Sequence, residues 1–93
     1  MILEVAILHI KENQSNDFEK NYELAKPIIS RAKGYRSHQL KKCIETADKY
    51  ILIVEWNTLE DHEIGFRKSK DFLEWKALVH PFLTSETLVE HYA

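Results

Sequence analysis

The apolar positions of this chain change period along its length, and the changes mark out its elements. Ile2-Leu-Glu-Val-Ala-Ile-Leu-His-Ile10 alternates with period two, and both alternating sets are mostly apolar. Ile2, Ala6, Leu8 and Ile10 point one way with Glu4 among them, while Leu3, Val5, Ile7 and His9 point the other. Two apolar faces predict a strand covered on both sides. Residues 11–16 are polar and turn-like, and Ser15 or Asn16 is placed to cap a helix beginning near Asp17. Phe18, Tyr22, Ala25, Ile28, Ile29 and Ala32 then recur at helical spacing, and Gly34 supplies the stop. Pro27 falls inside this stretch, removes one backbone donor and predicts a bend or loosening there.

Residues 35–45 and 50–57 read as two antiparallel strands joined at Thr46-Ala-Asp-Lys49. The second, Tyr50-Ile-Leu-Ile-Val-Glu-Trp56, is again apolar on both faces. Thr58-Leu-Glu-Asp61 is a capping-box pattern that opens a short helix to about Phe66. Ser69 is a second cap, starting a helix that carries Phe72, Trp75, Lys76, Val79 and His80 and ends at Pro81. After a loop at 81–86, Thr87-Leu-Val-Glu-His-Tyr92 forms a last strand. The order β-α-β-β-α-β is the split βαβ arrangement: an α+β, ferredoxin-like fold with a four-stranded antiparallel sheet and helices on one face. The second apolar face then needs cover from outside the chain. An identical copy is the simplest cover, so the pattern predicts a homodimer.

Composition narrows the function classes. The chain has 93 residues, room for one domain over 1–93 and not two. With 44% hydrophobic residues and only two Gly and two Pro, it is not a disordered chain. No apolar run approaches the roughly 18–20 residues that cross a bilayer, so no membrane partner is expected. The N-terminus has no basic stretch or cleavage pattern, and no signal peptide is expected. A net charge of −2 gives no global reason to expect nucleic acid. The densest basic stretch, Arg31, Lys33, Arg36, Lys41 and Lys42, reads as a solvated helix end and strand surface. Cys43 is the single cysteine; without a disulfide or a leader, the cytoplasm is the expected location. Its β-like surroundings suit a small buried hydrophobe better than a nucleophile.

Five histidines are candidates for proton chemistry near neutral pH. They form no His-Glu-x-x-His motif or Cys/His cluster, so no metal is expected. His62 lies one helical turn before Phe66, and both can line one side of a pocket; its alternative is a surface position in the polar turn Glu60-Asp-His-Glu63. His9 shares a face with Leu3, Val5 and Ile7, where a satisfied core histidine is the commoner outcome. His38 and His91 lie on strands and can face pocket, interface or solvent. His80, before Pro81 at a helix end, is read as structural. Phe66, Phe72, Trp75 and Trp56 suit a core and equally the walls of a pocket for a flat aromatic. Arg67 can hold a phenolate or carboxylate, or lie on the surface. There is no paired-carboxylate pattern, Gly-rich phosphate loop or nucleophile elbow.

Leu52-Ile-Val-Glu-Trp56, Thr58-Leu-Glu-Asp-His62, Gly65-Phe-Arg67, Phe72-Leu-Glu-Trp75 and Val89-Glu-His-Tyr92 together resemble the antibiotic-biosynthesis-monooxygenase family. The opening Ile2-Leu-Glu-Val-Ala-Ile-Leu run, Pro27-Ile-Ile and Gly34-Tyr-Arg-Ser-His38 fit the same pattern, so the resemblance covers nearly the whole chain. It implies a dimeric α+β barrel, two sheets face to face with helices outside and a pocket in each subunit. It also implies oxidation of a phenol, hydroquinone or related enolisable aromatic by molecular oxygen, with no metal, flavin or haem cofactor. An electron-rich substrate anion can itself give an electron to oxygen. The protein then binds the aromatic, favours its deprotonation and excludes water. A haem-degrading branch shares the fold but uses an Asn, a Trp and a His where this chain aligns His9, Phe66 and Lys76, so that mechanism is not expected.

The sequence thus predicts a cofactor-independent monooxygenase with His62 and His9 as polar catalytic groups. Phe66, Arg67, Trp75, Trp56, His38 and His91 are its candidate substrate contacts. Two rivals stand beside it: a non-catalytic dimer that binds a small hydrophobic ligand, and an isomerase-like enzyme on the same scaffold. Fold alone does not choose among them.

Overall fold

The computed structural model describes residues 1–85 and 87–93 and has the predicted element order. Strand β1 (Ile2–His9) leads through a polar turn to helix α1 (Ser15–Ser30). Strands β2 (Tyr35–Lys42) and β3 (Lys49–Trp56) form the hairpin. A π-helical turn (Asp61–Phe66), helix α2 (Lys70–Val79), a 3₁₀ turn (His80–Phe82) and strand β4 (Leu88–Tyr92) follow. The four strands run antiparallel in the order β2-β3-β1-β4, so the first strand pairs with the third and the last. Among the described residues no helix is long and apolar enough to cross a membrane.

One alternating set of each central strand builds the core. Ala6 and Leu8 of β1 and Tyr50, Leu52, Val54 and Trp56 of β3 are buried. They pack with Phe18, Tyr22, Ala25, Ile28 and Ile29 of α1 and Trp75 and Val79 of α2. The two helices are tied at their edges: Asn21 Nδ2 donates to the Leu78 carbonyl at 3.1 Å, and Arg31 grips Asp71 through two nitrogens at 2.9 and 3.1 Å. Ser69 caps α2 as its sequence predicts, accepting from Phe72 N–H at 3.1 Å, and Thr58 accepts from Asp61 N–H at 3.2 Å.

Several local expectations are corrected. Helix α1 begins at Ser15, and the Ser15 hydroxyl does not cap it; it donates to the Asp48 carboxylate at 2.6 Å. Pro27 lies within an unbroken α1, on its exposed face, where water can serve the Glu23 carbonyl left without its helical donor. Strand β2 stops at Lys42, leaving Cys43 half-buried just beyond it, and Asp48 turns the chain into β3 at φ 55°. Of the loop expected at 81–86, residues 81–82 continue the 3₁₀ turn and Leu83 bridges to Ile10; Glu86 lies outside the described residues.

Gly34 is required by close approach. Its φ is 83°, a Cβ there would run into the Asp61 side chain, and its carbonyl accepts from Asn57 N–H at 2.8 Å. This contact joins the end of α1 to the turn after β3 and so fixes where the π-helical turn starts.

Among the described residues no helix covers the other face of the sheet. The register sets out its rows: Gln39, Ile53, Val5 and Glu90 lie side by side, next to Lys41, Ile51, Ile7 and Leu88. Apolar residues fill the middle of these rows, with Gln39 and Lys41 at the β2 edge and Glu90 at the β4 edge. Leu88 and Tyr92 on β4 are 61% and 51% exposed.

Candidate active site

Between the sheet and α2 lies a pocket of about 390 Å³. Its floor is Glu4, Ala6, Leu8 and Leu52 of the core-facing strand positions. Phe72, Trp75, Val79 and His80 line its helical side, and His62 and Arg67 close one end. Leu83 to Ser85, Thr87 and Val89 line the rest.

Its polar centre is a row of polar groups in close contact, contributed by four elements. Glu4 is the one acid on the core face of β1 and is only 6% exposed. Its Oε1 accepts from the indole N–H of Trp56 at 3.0 Å and lies 3.3 Å from Nε2 of His62. His62 is 4% exposed, stacks on Trp56 with centroids 5.2 Å apart and planes 21° apart, and places Nδ1 2.8 Å from Nε2 of His91. His91 Nε2 in turn lies 3.4 Å from the Glu63 carboxylate. Strand register explains how the row forms, because Glu4 of β1 faces His91 of β4 directly across the ladder. The π-helical turn brings up His62, with Arg67 N–H donating to the His62 carbonyl five residues back at 3.0 Å.

Burial sets the charges. It pushes the Glu4 carboxyl up to about 7, against the Trp56 hydrogen bond and the Arg67 charge, which pull it down. It holds His62 down to about 4, with the charges of His91 and Arg67 acting in the same direction. At neutral pH the Glu4–His62 contact is therefore a close polar contact with a neutral imidazole, not an ion pair. With Glu4 ionised, Nε2–H of His62 faces the carboxylate and Nε2–H of His91 donates to Nδ1 of His62. With Glu4 protonated, the same row can run the other way. Both contacts of Glu4 fall on Oε1, which leaves Oε2 without a partner among the described residues.

The predicted residues divide by position. His62, Arg67 and Trp75 line the pocket, and His91 joins it through His62. Trp56 and Phe66 stand one layer behind it: Trp56 is 0% exposed and packs against both His62 and Phe66. His38 is elsewhere, facing α1 in a separate groove beside Tyr22 and Lys26, where burial and Lys26 hold its pKa down. His9 ends β1 on the open sheet face, exposed, with its carbonyl held by Thr84, and is not brought to the pocket. His80, read as structural, lines the pocket beside Trp75. The Trp75 indole nitrogen is buried without a hydrogen-bond partner among the described residues. Glu4 is the buried pocket carboxyl that the sequence pattern did not single out. Its signal was a lone acid in an otherwise apolar strand face.

Comparison with known proteins supplies the family. Residues 1–78 match the family described as antibiotic biosynthesis monooxygenase. The uncharacterized protein YczJ of Bacillus subtilis (strain 168) is 53% identical over 92 residues, spanning 99% of this chain and 97% of that one. A crystal structure from Bordetella bronchiseptica, of a protein carrying the same family's name, superposes with a TM-score of 0.96 at 34% identity, covering 99% and 94% of the two chains. SnoaB of Streptomyces nogalater, a cofactor-independent oxygenase, shares the fold with a TM-score of 0.80 at 17% identity, over 96% of this chain and 89% of its own. Fold, element order and these matches agree: the chain belongs to the antibiotic biosynthesis monooxygenase family.

Proposed function

We propose that the protein is a cofactor-independent monooxygenase that oxidises a small phenolic or quinol-type aromatic with molecular oxygen, and that it works as a homodimer. The observation that carries this reading is a buried carboxyl held near pH 7 in an aromatic-walled pocket, hydrogen-bonded to Trp56 and 3.3 Å from a neutral histidine. A base poised near the working pH is what deprotonation of a phenol requires. Glu4, through its free Oε2, takes the phenolic proton while His62 steadies the carboxylate. Trp75 and Phe72 offer faces to the ring, and Arg67 at the pocket end favours the phenolate.

The phenolate then gives one electron to oxygen, and the resulting radical pair combines at a ring carbon to form a peroxide. Cleavage of its O–O bond leaves one oxygen atom on the ring as a quinone carbonyl and releases the other as water. A phenol and one oxygen molecule thus give a quinone and one water, with no outside reductant. Two copies joined through the open sheet faces would bury Val5, Ile7, Ile51 and Ile53, and membership of the family supports that arrangement.

The test is oxygen uptake by chelator-treated protein with a panel of hydroquinones and polyphenols. Enzyme-dependent uptake that falls at least about tenfold in His62→Ala, equal to about 1.4 kcal/mol of barrier, is the expected result. Turnover that proceeds equally well without air would favour the isomerase reading, which the same carboxylate–histidine pair could serve. Ligand-induced stabilisation with no turnover would favour the binding protein.

A further inference from the structure

The row of polar groups has an outer end that the oxygenase reading does not use. Three ligand groups converge there: one ring nitrogen each of His62 and His91 and a carboxylate oxygen of Glu63 lie within 4.8 Å of one another, with Nδ1 of His62 2.8 Å from Nε2 of His91. We infer that His62, His91 and Glu63 form a binding site for one first-row divalent metal ion, best suited to zinc.

The ligand chemistry fits. Two imidazoles and one carboxylate, with a position left for water, are a donor set that zinc accepts at about 2.0–2.2 Å. Ligands at that distance in a tetrahedron stand roughly 3.3 Å apart. The His91–Glu63 separation of 3.4 Å already meets this span. The two ring nitrogens at 2.8 Å must part by roughly half an ångström for the same tetrahedron. His91 sits on a five-residue edge strand and Glu63 is half-exposed, so both can adjust.

A second observation points the same way. A histidine that binds a metal through one nitrogen usually donates its other N–H to a carboxylate, which fixes the ring and its tautomer. His62 has that partner: Nε2 faces Glu4 Oε1 at 3.3 Å, and Glu4 is itself held by Trp56. The site therefore has both its inner ligands and the outer carboxylate of a built metal centre. Arg67, with Nη1 3.6 Å from Glu63, must give up that contact, but an exposed pair of this kind contributes little.

This site goes beyond the oxygenase reading and stands without it. Zinc here takes the Nδ1 that His62 shares with His91, so the loaded protein is the form that has lost the hydrogen bond between the two rings.

Titration calorimetry of chelator-treated protein with Zn²⁺ tests the site, with Co²⁺ absorption reporting the coordination geometry. We expect one Zn²⁺ per chain with a Kd below about 10 µM, and a tetrahedral Co²⁺ spectrum. His91→Ala and Glu63→Gln should each weaken binding at least tenfold, while His38→Gln leaves it unchanged. Glu63→Gln alters a half-exposed side chain and keeps the test valid if His91→Ala fails to fold. No binding at 100 µM (about tenfold above the expected Kd) overturns the site. Binding that both variants leave intact overturns it equally, because the metal then sits elsewhere.

Discussion

Trp56→Ala should be the most damaging single substitution in the protein, lowering unfolding stability by about 3–5 kcal/mol in chemical denaturation. Trp56 is fully buried at the end of β3, touches His62, Phe66 and Tyr35, and donates the indole hydrogen bond that Glu4 accepts. Truncation opens a large cavity and leaves a buried carboxyl without its donor, and both effects destabilise. Trp56→Phe separates them. It keeps most of the volume and should cost only about 1–3 kcal/mol, the usual penalty for an orphaned buried polar group. It should also raise the Glu4 pKa further, since the lost hydrogen bond is the largest influence holding it down. A Trp56→Phe variant as stable as the wild type would mean that the indole N–H contributes nothing.

Val5→Asp should turn the protein into a folded monomer. Val5 lies on the open sheet face between Ile53 and Glu90, with Leu3 and Ile7 next along its strand. In a dimer that buries this face, an unpaired carboxylate at its middle costs several kilocalories per mole, about 3–5 for an uncompensated buried charge. A loss of 3 kcal/mol already weakens association by about two decades. Light scattering after size exclusion should show a dimer for the wild type and a monomer for the variant, with unchanged circular dichroism. A wild type that is monomeric at micromolar concentration would contradict the homodimer.

The fold was legible because two periods were strong and cleanly separated. Alternation in 2–10 and 50–56, helical spacing from Phe18 to Ala32, and the Ser69 cap each had one good structural solution, and the structure adopts it. Local capping was less legible. Ser15 has a partner, Asp48, that lies 33 residues away, and no local rule anticipates it. The site was half legible. His62 and Trp75 are pocket residues by helical position, but the role of His91 depends on its register opposite Glu4, which is a property of two strands together.

His9 shows the parity rule at work. It alternates with Leu3, Val5 and Ile7, so it belongs on the face opposite Glu4, and the structure puts it there. The demotion of Trp56 and Phe66 to the layer behind the pocket has a simpler cause. Both are among the most buried aromatic side chains, and spacing cannot tell a wall from its support.

The central claim is that the Glu4 carboxylate, paired with His62, is the base of an oxygen-dependent reaction. Oxygen uptake against pH, from about 5 to about 9, tests it most directly, with a phenol whose own pKa lies near the ordinary value of about 10. The active form needs Glu4 deprotonated, so activity should rise with pH as one proton leaves, with a midpoint near the value of about 7 that burial imposes. Glu4→Gln should remove that rise and lower the plateau rate by about a hundredfold or more. A Glu4→Gln variant that keeps the wild-type rate and the wild-type profile would contradict the account.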